Sequence, residues 1–80
     1  MEYAYLLINC QLGSEEEIIK KIKQIENVTE VHGVFGVYDI IVKLEAPNNN
    51  TLRDVITTKI RRIDKIISTL TMTIIPEQEC

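Results

Sequence analysis

The sequence predicts an α+β fold, with four strands in one antiparallel sheet and two helices packed on a single face of it. Three observations carry this. The apolar period switches along the chain in the order strand, helix, strand, strand, helix, strand. Two of the strand-like runs, Tyr3 to Cys10 and Val37 to Leu44, are apolar at nearly every position. Such runs belong to strands buried on both faces, hence to the centre of a sheet. A single glycine, Gly36, separates the second and third strand-like runs. So short a connection returns the chain antiparallel.

The first strand is the run Tyr-Ala-Tyr-Leu-Leu-Ile-Asn-Cys, too short for a lone helix. Gln11, Leu12 and Gly13 turn the chain. Ser14 and Glu17 fit the S-x-x-E capping box at a helix start. Glu15, Glu16 and Glu17 sit at the positive end of the helix dipole, and Lys20, Lys21 and Lys23 at the negative end. Ile18, Ile22 and Ile25, with Ile19 beside them, make an apolar stripe. This helix is expected to run from about Glu15 to Glu26, with Asn27 as its stop. The second strand covers Val28 to Phe35. Strict alternation points Val28, Glu30, His32 and Val34 one way and Thr29, Val31, Gly33 and Phe35 the other. Its polar content suits a sheet edge. In the third strand Tyr38, Ile40, Val42 and Leu44 share a face. Ala46 to Asn50 form a loop. Thr51 or Asn50 caps the second helix, with Asp54 favouring Thr51. Leu52, Val55, Ile56, Ile60 and Ile63 are its apolar stripe. The last strand runs from Lys65 to Ile75. It carries a ladder of Thr69, Thr71 and Thr73 on one face, and Pro76 ends it.

This βαββαβ order is the ferredoxin-like plan, a split βαβ arrangement. Right-handed crossovers put the first and third strands in the centre, and these are the two runs that read as buried on both faces. Residues 1–80 are expected to form one domain. With both helices on one face, the other face lies open. One of two sets on the first strand must face that side: Tyr3, Tyr5 and Leu7, or Ala4, Leu6 and Ile8. Either makes a large apolar patch, which marks an interface. A homodimer closed sheet to sheet is the expected outcome.

Composition excludes several classes. The formal charge is −3, which opposes direct nucleic-acid binding. With no Trp, one Phe and three Tyr, a base-stacking surface is not supported either. The two cysteines, Cys10 and Cys80, form no C-x-x-C pair, and the only histidine is remote in sequence. No metal site and no cofactor is therefore expected. Cys10 reads as a buried small group and Cys80 as a terminal thiol. One histidine without an evident partner gives no catalytic constellation, and no catalytic residue is assigned. No apolar run approaches the ~20 residues that span a bilayer, and no secretory pattern opens the chain. A cytoplasmic protein without membrane contact is expected.

Asp39 stands out. It is a lone acid at the start of a run that otherwise reads as buried strand. A carboxylate taken out of water costs several kcal/mol unless it is paired or hydrogen-bonded. Asp39 must therefore be edge-exposed, hold backbone amides, or meet a partner.

The stretch Val28-x-x-Val31-x-Gly33-Val34-Phe35-Gly36-Val37-Tyr38-Asp39-Ile40-Ile41-Val42 resembles the hairpin of the Lrp/AsnC effector-sensing domain, also called the RAM domain. Gly36, Tyr38 and Asp39 match that pattern, whereas Val37 departs from the polar or acidic residue common there. Arg62 to Thr69 resembles the family's helix end, turn and Ser/Thr-rich strand, and the likeness extends over nearly the whole chain. Full-length members carry an N-terminal helix-turn-helix domain. This chain begins at the first strand of the sensing domain and so resembles the stand-alone form. The resemblance implies a non-enzymatic regulator that binds an amino acid or related small effector between subunits. It also implies dimers assembled into a ring, acting on transcription through oligomerisation or through a full-length Lrp/AsnC regulator. By the same resemblance Gly36, Val37, Tyr38 and Asp39 meet the ligand. Thr71, Met72 and Thr73 of the last strand join them, from a neighbouring subunit if need be, as does His32 at a less well-matched position. Two alternatives stay open: a ligand-free oligomerisation module, and a small enzyme of the dimeric α/β-barrel type built on Asp39 and His32.

Overall fold

The computed structural model describes residues 1–74. The chain forms β1 (Glu2–Cys10), α1 (Glu15–Lys23), β2 (Val28–Gly33), β3 (Ile40–Ala46), α2 (Asn49–Val55) continued by a π-helical turn (Ile56–Ile60), and β4 (Ile66–Thr73). All strand pairs are antiparallel, in the order β2-β3-β1-β4. The two central strands are the two doubly apolar runs, as the topology required. No helix among the described residues is long and apolar enough to cross a membrane. Ile75, the stop at Pro76 and the tail to Cys80 lie outside the described residues.

Strand alternation divides the sheet cleanly. Ala4, Leu6, Ile8 and Cys10 of β1 and Ile40, Val42, Leu44 and Ala46 of β3 are buried on the helix side. They pack with Ile18 and Ile22 of α1 and with Leu52, Val55, Ile56 and Ile60 from α2 and its π-helical turn. Each fully buried Leu or Ile here contributes about 1.5–3 kcal/mol. No described residue covers the other sheet face. There β1 presents Tyr3, Tyr5 and Leu7. The register sets Tyr5 beside Met72 and Leu7 between Leu70 and Ile41. The Lys43 ammonium lies 5.6 Å from the Tyr3 ring centre, within cation–π range.

Several local expectations are corrected. Ser14 makes no side-chain cap bond and is buried. Its would-be partner Glu17 instead accepts from Lys65 Nζ at 3.1 Å, which holds the Glu17 carboxyl below its usual range. α1 ends at Lys23 rather than near Glu26, because Gln24 and Ile25 donate to carbonyls three residues back and tighten the last turn. α2 is capped by Asn48, not by Asn50 or Thr51. Asn48 Oδ1 accepts from the Thr51 N–H at 2.8 Å and from its hydroxyl at 3.0 Å. β2 is not strictly alternating. A register shift between Val28 and Glu30 places Thr29 in a bulge. Val28 therefore joins Val31 against the core, while Glu30 and His32 face the open side.

Candidate functional site

β2 and β3 form the expected antiparallel hairpin, but its turn is wider than a tight reversal at Gly36. β2 stops at Gly33 and β3 starts at Ile40. The Val34 N–H donates to the Asp39 carbonyl at 2.9 Å, and residues 35–38 project beyond that bond. Asp39 is the last residue before the turn to bond on both sides, towards β2 through its carbonyl and towards β1 through its N–H. Its N–H donates to the Ile8 carbonyl at 2.9 Å. Its Oδ2 accepts the Cys10 N–H at 2.9 Å. The lone acid thus closes the end of the central strand, where Cys10 has passed the last β1–β3 pair, Ile8 with Ile40. Burial, with the nearby Asp39 and Glu15 carboxylates, pushes the Cys10 thiol up.

Gly36 has φ +143°, and a Cβ there would meet nothing within 4 Å. Its glycine is set by backbone conformation, not by a close neighbour in the same protomer. Phe35 and Val37 are almost wholly exposed, and Tyr38 is half-buried. The tip therefore presents apolar side chains to solvent. His32 lies on the open sheet face opposite Ile41, its Nε2 3.3 Å from Glu30 Oε1.

The last-strand residues divide between the two sheet faces. Met72 lies on the open face beside Tyr5, whereas Thr71 and Thr73 pair with Leu6 and Ala4 and face the helix side. The threonine ladder has a physical reason. The helices pack over β2, β3 and β1 and leave the helix side of β4 uncovered, so Thr71 and Thr73 remain exposed. A groove of about 420 Å³ runs between β4 and α2 with its π-helical turn. Ala4, Leu52 and Ile56 form its apolar floor. Thr71, Thr73, Asn49, Thr57, Arg53 and Arg61 form its polar walls. Arg61 Nε donates to Thr69 Oγ1 at 3.2 Å, which holds the guanidinium along β4.

The two arginines escape a sequence reading, and the helix geometry explains why. Eight residues of regular α-helix carry a side chain about 80° past two full turns, which would set Arg53 and Arg61 on different faces. The π-helical turn, with the Arg61 N–H donating to the Ile56 carbonyl at 2.9 Å, takes up one extra residue. Arg61 returns to the stripe of Arg53 and Thr57. The run Ile-Thr-Thr in this turn is the available signal, since β-branched residues are mediocre α-formers.

Six of the eight candidate residues fall into two clusters in one protomer, while His32 and Met72 lie on the open sheet face. Asp39 is bonded to β1 at Ile8 and Cys10, on the β3 side. Thr71 and Thr73 pair with β1 at Leu6 and Ala4, on the β4 side. The four-residue step from Ala4 to Ile8 alone is about 13 Å.

The family model for the Lrp/AsnC ligand binding domain matches residues 3–78. An uncharacterised HTH-type transcriptional regulator of Pyrococcus furiosus is 34% identical over 72 residues, which are 86% of this chain and 48% of that protein. The chain thus spans about half the length of that curated relative. Among solved structures, FFRP-DM1 superimposes with a TM-score of 0.90 at 37% identity, covering 94% of this chain and all of that one. Escherichia coli AsnC superimposes with a TM-score of 0.87 at 25% identity, covering 92% of this chain and 50% of that one. With the same four-stranded antiparallel sheet and two-helix layer, and a family match that takes in the hairpin, the groove and nearly everything between them, this chain belongs to the Lrp/AsnC ligand-binding domain family.

Proposed function

We propose that this chain is an amino-acid-sensing domain whose effector lies between copies of the chain. Occupancy would change assembly, or association with a full-length Lrp/AsnC regulator, in the cytoplasm. One observation carries the reading: the hairpin cluster of Gly36, Val37, Tyr38 and Asp39 and the groove cluster of Thr71 and Thr73 lie apart within a protomer. Two copies packed end to end bring the one to the other. The apolar open face, with Met72 and His32 on it, suits sheet-to-sheet dimerisation, and such dimers joined through hairpin and groove form a ring. Asp39 Oδ1 is left for an α-ammonium group through a charge-assisted bond. A switch of this kind needs unequal effector affinity in the two assembly states.

The test is a thermal-shift screen of the twenty amino acids, with mass measured in solution alongside. An effector at 100 times its Kd adds about 2.7 kcal/mol of stability. A stabilising amino acid that also changes the mass distribution is the expected result. No shift with any amino acid rejects the sensing role. It leaves a second reading, a ligand-free oligomerisation module, which the Asp39–Cys10 bond favours because it already satisfies one carboxylate oxygen.

A further inference from the structure

The groove between α2 and β4 has a chemical character of its own. The chain is acidic overall, with 12 Asp and Glu against 9 Lys and Arg, yet no carboxylate lines this groove among the described residues. Its cations are Arg53 and Arg61, neither of which has an ion-pair partner among the described residues. Arg61 is fixed through Nε, which leaves its terminal NH₂ groups to donate. The Thr71 and Thr73 hydroxyls and the Asn49 amide supply further donors. Thr57 does not, because its hydroxyl is committed to the Arg53 and Asp54 carbonyls. The floor of Ala4, Leu52 and Ile56 is aliphatic.

We infer that this groove is a carboxylate subsite and that it selects an effector with an acidic, aliphatic side chain. Planar guanidiniums take carboxylates in bidentate geometry. An apolar floor under a cationic rim fits methylenes ending in a carboxylate better than it fits a bare inorganic anion. The net negative charge elsewhere does not oppose this, since charges beyond a Debye length of about 8 Å are screened at physiological salt. The inference rests on the sensing role proposed above, because Thr71 and Thr73 belong to both.

Calorimetry on the whole protein with L-glutamate, L-glutamine and glutarate tests it. Glutamate and glutamine differ by one charge at nearly constant shape, and glutarate lacks the ammonium. Glutamate is expected to bind about tenfold more tightly than glutamine. In the double variant Arg53→Gln/Arg61→Gln that preference falls to within about twofold. Both side chains are exposed, so the variant keeps its fold. Equal affinities for the two amino acids overturn the subsite and leave the sensing role standing. Glutarate binding that is lost in the variant, with neither amino acid bound, supports the subsite and rejects glutamate and glutamine as the sensed amino acids. A preference that survives in the variant overturns the assignment to these arginines. A variant whose mass changes while its ligand preference does not also overturns it, and shows that the groove receives acidic side chains of a second copy. Failure of all three probes overturns the subsite, while the sensing role is decided by the screen of the twenty amino acids.

Discussion

Asp39 carries two demands that one substitution cannot separate but two can. Its Oδ2 holds the Cys10 N–H at the end of a central strand. In the proposed site its charge would also take an ammonium group. Asp39→Asn keeps an oxygen acceptor and removes the charge, whereas Asp39→Ala removes both. Asp39→Ala should cost about 1–2 kcal/mol of stability, the usual penalty for orphaning a part-buried amide. Asp39→Asn should stay within about 0.5 kcal/mol of the parent. Both should lose effector binding. Denaturant melts give the first comparison, and calorimetry with whichever amino acid the screen identifies gives the second. Undiminished binding by Asp39→Asn would reduce Asp39 to a strand-end acceptor. The oddity of this residue was legible in the sequence, because an acid at the head of an apolar run demands a partner. That the Cys10 amide is that partner was not, since it lies 29 positions away and only the sheet register brings it near.

At the scale of elements, patterning told most where burial is one-sided or complete. β1, β3 and the apolar stripes of both helices follow from it directly. The misses fall where a polar side chain chooses among nearby backbone partners. Asn48, Asn50 and Thr51 are all competent caps, and the chain uses Asn48, the first of them. Ser14 fits a capping box but is buried without a cap bond, while Glu17 reaches Lys65 across the fold. The β2 bulge at Thr29 inverts the facing of Val28, because one extra residue exchanges the two faces of a strand. The π-helical turn was equally hidden, although two threonines support it. Thr57 and Thr58 hydroxyls return to the Arg53 and Asp54 carbonyls at 2.9 and 2.6 Å, where widening loosens the helix ladder. If this turn is a regular helix with one residue added, removing the exposed Thr58 should leave an α-helix. Arg53 and Arg61 would then stand seven residues apart, within about 20° of one face, and Ile56 and Ile60 three apart. The deletion should melt within about 1 kcal/mol of the parent. An alanine inserted after Thr58 turns everything beyond it by about 100°, drives Ile60 out of the core, and should cost about 2 kcal/mol or more. Circular dichroism melts decide, and equal damage from deletion and insertion would reject the added-residue account.

At the scale of the molecule, two apolar features without a partner among the described residues lie on different surfaces, and they predict a two-level assembly. The open sheet face joins Tyr5, Leu7, Ile41, Leu70 and Met72 across three strands. Leu70 and Met72 remain 46% and 45% exposed. An 80-residue chain buries only ~60% or a little more of its unfolded surface and gains much by covering such a face. The hairpin tip, with Phe35 and Val37 outward, is a separate patch beyond the sheet end. A sheet-to-sheet contact is isologous and closes as a pair, whereas a tip-to-groove contact is heterologous and repeats until a ring closes. The two levels are therefore separable by substitution. Leu7→Lys combined with Leu70→Lys places cations in the middle of the open face and should yield monomers. Its melting temperature should no longer depend on protein concentration, unlike that of the parent. Phe35→Lys touches only the tip and should stop assembly at dimers, with the parent's circular dichroism spectrum retained. Light scattering across the micromolar range reads both. A parent chain that is monomeric throughout that range would contradict the interface assigned to the open face. Rings that persist in Phe35→Lys would move the second contact away from the tip and, with it, the meeting point of hairpin and groove on which effector binding is proposed to depend.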